Sequence, residues 1–314
     1  MQHENTAATK APMASENEVP ADTANEGPVG LIDNRSPVFR FLGAVFANRG
    51  AVIGFSLVLA LIVIAVLAPI IAPYAPDEMG TGQMLESPSP AHLFGTDEFG
   101  RDMLSRVIFG ARLTIEVGVI AVGISLTVGL LVGLVSGYAG GWLERIFMRG
   151  VDVLFSFTET LIALAAVAVL GPSLTNAMIA VGIAAIPFYA RITYSVTLVE
   201  CNKPYIEAAH AAGAGHLRLL FLHLLPNVIP PLIVVATLGV STAVLAAAGL
   251  SFLGLGAQPP SPEWGAILSA GRDYFNTAPW IMLYPGLAIM ITVLAFNLLG
   301  DGIREALDPR QRKN

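Results

Sequence analysis

Lysine is nearly missing from this chain. Of 314 residues only Lys10, Lys203 and Lys313 carry an ammonium side chain, and none follows a glycine. A phosphate-cradling loop of the Walker type needs Gly-Lys followed by Ser or Thr, so ATP hydrolysis, if the function uses it, belongs to another chain. Cysteine is scarcer still. Cys201 stands alone, which excludes an intramolecular disulfide. It reads as a small residue near a helix end. Charge of either sign is thin, at 13% of residues, where soluble domains carry roughly a quarter. What is present instead is apolar: 54% of residues are hydrophobic and the mean hydropathy is +0.68. Several apolar runs approach or exceed the roughly 20 residues that cross a bilayer core. The chain therefore reads as a polytopic, all-α integral membrane protein. Its net charge of −6 bears little on orientation, which follows the placement of Lys and Arg.

The first 36 residues are polar, rich in Ala, Glu and Asn, and lack apolar periodicity. A disordered tail is expected over 1–36. No basic n-region precedes an apolar core there, so no cleaved signal peptide is expected. Six apolar segments follow, at about 51–73, 114–137, 153–171, 175–198, 228–250 and 281–300. An even number of crossings puts both termini on one side. Placing both inside leaves only Arg101, Arg106, Arg112 and Arg272 outside, and 13 of the 17 Lys and Arg in the cytoplasm. That asymmetry predicts cytoplasmic termini.

Two external segments are long, about 74–113 and 251–280. In the first, HLFGTDEFGRD (92–102) sets Asp97, Arg101 and Asp102 beside Gly95 and Gly100. This arrangement suits a turn held by charged hydrogen bonds. Met103/Val107 and Leu104/Ile108 then recur at helical spacing, which predicts an interfacial helix leading into the second span. In the second, Pro259, Pro260 and Pro262 forbid a continuous helix, and AILSAG (266–271) is expected to turn back into the interface.

Between spans four and five, on the predicted cytoplasmic face, lies IEAAHAAGAGHLRLLFLHLLPN (206–227). Pro204 suits a first helical turn, with Asn202 or Lys203 in the cap region, and Glu207 then meets the positive helix end. Gly213 and Gly215 interrupt the helix. His216 to Leu224 form a second short one, which Pro226-Asn227 and Pro230-Pro231 are expected to close. Each helix would have about nine residues, roughly 13 Å, too short for stability alone in water. Ala208, Ala209 and Gly213 allow close approach of another backbone, while Leu219, Leu220, Phe221 and Leu224 supply apolar surface. Two readings fit: a knob seated in a cleft of another protein, or an interfacial linker packed on its own spans.

The residue order adds to this. Glu207-Ala208-Ala209, Gly213 and Leu225-Pro226 resemble the EAA loop of ABC-importer permeases, and the ending RxxFxHxLPN looks like its peptide and nickel branch. His223 stands where the wider family often has an aliphatic residue. HLFGTDEFGRD (92–102), GPSLTNAMIA (171–180), LSFLGLGAQPPSPEWGAIL (250–268) and LAFNLLGDGIREALDPR (294–310) resemble the second permease of dipeptide and oligopeptide importers, over about residues 38 to 312. The resemblance implies six transmembrane helices in the type I importer fold, in a bacterial cytoplasmic (inner) membrane. It implies a coupling helix, with Glu207, Ala208, Ala209, Gly213, Leu225 and Pro226 docking on an ATPase. The implied division is a tail (1–36), a first span with its external loop (37–113), a type-1 transmembrane domain (114–303, with the EAA loop at 204–227) and a C-terminal tail (304–314). Implied partners are a homologous second permease in a heterodimer, two ABC ATPases that bind the ATP and Mg, an extracytoplasmic binding protein and membrane lipid. Neither a cofactor in this chain nor a nucleic acid is implied. Asp97, Arg101 and Asp102 would then either shape the outer face met by the binding protein or sister permease, or cap span two.

Two departures stand on or near spans that would line a pathway. FSFTETLIAL (155–164) carries Thr158-Glu159 where relatives often have a proline after the Phe, and Tyr194 and Ser195 replace a more basic pattern. Glu159 falls near the start of span three, where an acid is costly unless it faces protein or water. It is a candidate pathway residue or a hydrated interfacial acid. Glu116 and Asp152 read as interfacial. His210, His216 and His223 lack the convergent third ligand and support that a metal site needs, and read as interface histidines. Gly129, Gly133 and Gly137 recur at the spacing that lets membrane helices pack closely. The function expected is peptide transport by alternating access, driven by a separate ATPase, the chain itself being no enzyme. A nickel or other metal-complex permease is the alternative. A secondary transporter leaves 204–227 unexplained and would call for more intramembrane ionisable residues as ion sites.

Overall fold

The structure, a computed structural model, describes residues 48–307. The tail 1–36 and the residues beyond 307 lie outside the described residues. Among the described residues nine α-helical elements follow one another, besides a short 3-10 turn at Arg272–Tyr274. They are α1 (Arg49–Ile71), α2 (Met103–Ala139), α3 (Gly141–Phe155), α4 (Glu159–Leu170), α5 (Leu174–Cys201), α6 (Pro204–Ala211), α7 (His216–Phe252), α8 (Trp264–Gly271) and α9 (Trp280–Leu307). Among the described residues there is no β-strand, only an isolated bridge between Thr96 and Asp102.

Five helices, α1, α2, α5, α7 and α9, are long and apolar enough to cross a bilayer. The third expected span, 153–171, is not one helix. It is a broken pair, α3 and α4, bent by 93° at residues 156–158. Ser156, Thr158, Glu159 and Thr160 dilute the apolar run at the break, but apolar residues resume on both sides, so averaged hydropathy merged the two helices into one segment. The Ser156 N–H returns to carbonyls of α3 while Thr158 is extended (φ −66°, ψ 138°), which ends one helix and starts the next. With that pair as one span the count is six.

Three other expectations change. No separate interfacial helix precedes span two, because Met103 begins a continuous 37-residue helix, roughly 55 Å long. The prolines after Leu224 do not close a short helix either. A π-helical turn at Leu219–Leu224, in which the Leu225 N–H reaches Leu220 O, carries the chain into α7 past Pro226, Pro230 and Pro231. Such turns shift the hydrogen-bond ladder by one residue, which accommodates residues that have no N–H to give. Finally, α9 runs to Leu307, so the tail boundary expected at 304 falls inside a helix.

The bundle is centred on α2 and α5, which share its most extensive helix contact. Their seam is the glycine series: a Cβ on Gly129 would sit 2.5 Å from the Tyr189 Cβ, on Gly133 2.5 Å from Ala190 O, and on Gly137 2.8 Å from the Thr197 Cβ. Small residues also join α1 to α9, where a Cβ on Gly54 would meet Leu299 N at 2.5 Å. Asn48 caps α1 through Ala51 N and bonds Glu305 at the end of α9. Large aliphatic side chains left exposed on α1, such as Val66 and Ile70, suit a lipid-facing helix, since lipid tails are as apolar as Leu.

Candidate coupling surface and transport pathway

At one end of the bundle, α6 and the start of α7 form the helix, Gly turn and helix read from 204–227. Lys203 is the extended cap residue and Pro204 opens α6, with Glu207 in its first turn. Gly213 has φ +82°, a region open to glycine at no steric cost. Nothing in this chain lies within 4 Å of a Cβ built there, so its constraint here is backbone conformation rather than crowding. Beneath the turn, Ile206, Leu219, Leu224 and Val228 pack with Leu134 of α2 in a buried cluster. Polar ties reinforce it: the Tyr205 hydroxyl donates to Glu200 at 2.8 Å and accepts from Asn227 at 3.2 Å. Burial, then the Glu200 hydrogen bond, pushes the Tyr205 phenol up to about 12, so it stays a neutral donor at any working pH. Tyr138 pairs with His216 Nδ1 at 2.6 Å, and His223 Nδ1 lies 3.3 Å from Arg218 O. Among the described residues no three His, Cys, Asp or Glu side chains group as metal ligands do.

The outward face of this knob combines small and apolar residues with charged ones, among them Glu207 and Arg218. Glu207, Ala208, Gly213 and Pro226 are exposed, and Ala209 and Leu225 are half-buried. Leu217 is 72% exposed, and Phe221 and Leu222 stand out beside it. Hydrophobic side chains clustered at a helical protrusion mark a contact surface. The adjoining α3, missed as a helix in its own right, is strongly amphipathic. Tyr194 ties α5 to it through Glu144, and Arg191 ties it through Asp152. Ser195, the other departure, bonds only its own helix, at Ile192 O.

Two open cavities on the side of the bundle, of about 170 and 360 Å³, share Glu159, Val181 and Thr242. Ser125 of α2, Tyr189 of α5 and Gly239 of α7 line the smaller. Glu159 is exposed at the start of α4. Sequence reading singled it out but missed Tyr189 and Thr242, which a linear scan cannot connect to it.

At the opposite end the loop 72–102 folds back on α2. Asp97, Arg101 and Asp102 are all turned inward and buried. Asp97 accepts from Phe99 N and Arg101 N, both at 2.9 Å, and from Arg101 Nε at 2.6 Å. Asp102 caps α2 by accepting from Ser105 N and Oγ at 2.8 Å, and His92 Nδ1 lies 3.0 Å from it. Arg106, also missed, bonds Pro76 O and Pro260 O, fastening both long loops to the helix. Trp264 of α8 donates to Val107 O at 3.0 Å, so the AILSAG turn lies as a helix against the bundle. Glu263 caps α8 through Gly265 N and Ala266 N. Burial pushes its carboxyl up, against the pull of those N–H groups.

Comparison with known proteins places this architecture. Residues 129–313 match the binding-protein-dependent transport system inner membrane component family, and residues 36–88 match the N-terminal TM domain of oligopeptide transport permease C. The chain is 44% identical to the dipeptide transport system permease protein DppC of Alkalihalophilus pseudofirmus, over 84% of this chain and 87% of that one. It is 46% identical to the di/tripeptide transport system permease protein DppC of Pseudomonas aeruginosa (88% and 93%), and 45% identical to the glutathione transport system permease protein GsiD of Escherichia coli (88% and 91%). The fold is similar to a chain of the MetNI methionine ABC transporter in an inward-facing form, with a TM-score of 0.54, 23% identity, and coverage of 66% of this chain and 98% of that one. The chain is thus a multi-pass membrane protein, a transport component and no enzyme, and it belongs to the family of inner-membrane permease components of binding-protein-dependent transport systems.

Proposed function

We propose that the chain is the permease subunit of an ATP-driven importer that moves di- or oligopeptides by alternating access. The observation that carries this reading is identity of 44–46% over most of the chain to permeases named for dipeptide and di/tripeptide transport. Cargo of that class crosses in a channel this chain shares with a homologous second permease. Two ATPases supply the chemistry, and an extracytoplasmic binding protein delivers the peptide.

On this reading 204–227 is the coupling segment, with Glu207, Ala208, Ala209, Gly213, Leu225 and Pro226 at or beside the ATPase contact. Its outward face of small, apolar and charged residues on a buried foundation supports the assignment. Both termini are then cytoplasmic, as the Lys and Arg asymmetry favours. Asp97, Arg101 and Asp102 act from inside the external loop, by holding its shape. The type-1 domain begins with span two and the external loop belongs to the first segment.

Co-expression with its partner subunits, reconstitution in proteoliposomes and measurement of binding-protein-dependent uptake test the reading. Uptake of alanyl-alanine that requires ATP supports it. Uptake of glutathione alone would shift the cargo to the class named for the GsiD relative. Transport that proceeds without the ATPases would overturn it.

A further inference from the structure

We propose that the cavity at Glu159 is a subsite for a primary ammonium group of the cargo, an inference that rests on the peptide-import reading. Depth comes first. The twelve residues of α4 rise roughly 18 Å from Leu170 back to Glu159, less than the roughly 30 Å hydrocarbon thickness. With Leu170 set at the outer boundary of the hydrocarbon layer, Glu159 falls inside it, where an exposed carboxylate is costly unless water or protein faces it. Among the described residues it makes no ion pair, and no Lys, Arg or His lines either cavity.

Hydrogen bonding then defines the ligand. Ser125 Oγ donates to Ala121 O at 3.0 Å, and Thr242 Oγ1 donates to Gly239 O at 2.9 Å. Both hydroxyl protons are spent on backbone, so these side chains offer the cavity only lone pairs. Tyr189 is 2% exposed, and its hydroxyl has no hydrogen-bond partner among the described residues. A buried hydroxyl left so is costly, and it lines the same cavity. Gly239 makes room for it: a Cβ there would sit 1.9 Å from the Tyr189 oxygen. The set is one carboxylate, two acceptor oxygens and one phenol, framed by Ala, Val and Leu. An ammonium, with three donors and no acceptor, matches it. A cargo carboxylate would meet one donor and a like charge. Apart from Thr160 in the larger cavity the remaining lining is apolar, so the subsite reads the amine and is tolerant of most cargo side chains.

The test uses the permease and ATPase complex in nanodiscs without binding protein, and the same complex with it in proteoliposomes. Probes are alanyl-alanine, N-acetyl-alanyl-alanine and N-acetyl-alanyl-lysine. Glu159→Gln should weaken alanyl-alanine binding about tenfold, the scale of one charge-assisted contact, and leave N-acetyl-alanyl-alanine unchanged. Tyr189→Phe should weaken alanyl-alanine about threefold, as for a neutral hydrogen bond. Recovery of the ATPases with each purified variant controls for folding and assembly. A Glu159-dependent response to N-acetyl-alanyl-lysine assigns the subsite to any primary ammonium, and its absence assigns it to the α-ammonium; either keeps the proposal. Equal wild-type binding of free and acetylated dipeptide overturns it. So does a Glu159→Gln variant that binds like wild type while uptake and ATP hydrolysis fall together, which would leave Glu159 a positioning residue for α4. If the wild type shows no ATP-driven peptide uptake, the import reading fails instead, and the nanodisc measurement still decides the subsite.

Discussion

At the residue scale, two buried acidic side chains outside the spans cap helices. Asp102 accepts from Ser105 N and Oγ at the start of α2 and meets the His92 ring. Asp102→Ala should cost the cap, about 1 kcal/mol, and strand a buried His92, about 1–3 kcal/mol more. Asp102→Asn keeps an acceptor for Ser105 and should lose less. Thermal unfolding in detergent should rank wild type above Asn above Ala. Glu263 is the second. Its folded carboxyl is pushed up by burial, so the protonated form suits the fold and ionisation works against it. Stability should fall as pH rises from the unfolded carboxylate range through the higher folded one. Glu263→Gln cannot ionise, though it keeps only one of the two capping oxygens, so its stability should stay flat over the pH range where that of the wild type falls. A variant whose stability fell with pH as steeply as the wild type would refute the assignment.

At the scale of elements, the α2–α5 seam makes the sharpest prediction. Gly133→Leu must displace the Ala190 and Thr193 backbone region of α5, and overpacking of this kind costs typically 1–3 kcal/mol. It should lower the unfolding temperature in detergent, whereas Gly123→Ala on the same helix, with nothing within 4 Å, should not. The seam was legible in the sequence because its spacing repeats every four residues within one run. The bend between α3 and α4 was not, because Ser156, Thr158, Glu159 and Thr160 interrupt the apolar run there without specifying a break or its angle. The continuation of α7 past Pro226 was not legible either, since a π turn has no residue signature that outweighs three prolines. The external loop was legible as a charged turn, yet its direction was not: only packing turns Asp97 and Arg101 inward. Glu159 stood out as an intramembrane acid. Its companions come from three other helices, and sequence separation hid them.

For the whole molecule, the coupling reading predicts loss of assembly without loss of insertion. Phe221→Glu and Leu217→Glu place charge on the apolar part of the outward face while leaving Leu219 and Leu224 buried beneath. The doubly substituted chain should reach the membrane at wild-type levels, co-purify with less ATPase and lose uptake. Gly213→Val, at φ +82°, should weaken co-purification by straining the turn, and Gly213→Asn, which tolerates that conformation better, should do so less. Normal ATPase recovery from all three would return 204–227 to the role of an interfacial linker. Reporter fusions near residues 85 and 307 should fall on opposite sides of the membrane, with 307 inside.

The π turn has a mechanical consequence. Because α7 does not stop at its prolines, the knob and the cavity wall are parts of one rod. Thr242 stands 26 positions along it from His216, roughly 39 Å at 1.5 Å per residue. Tilting such a lever by about 5° at its foot would swing Thr242 by roughly 3 Å, about one hydrogen-bond length. A small rocking of the foot, carried through the π turn and the prolines, is therefore enough to break or remake a polar contact deep in the membrane.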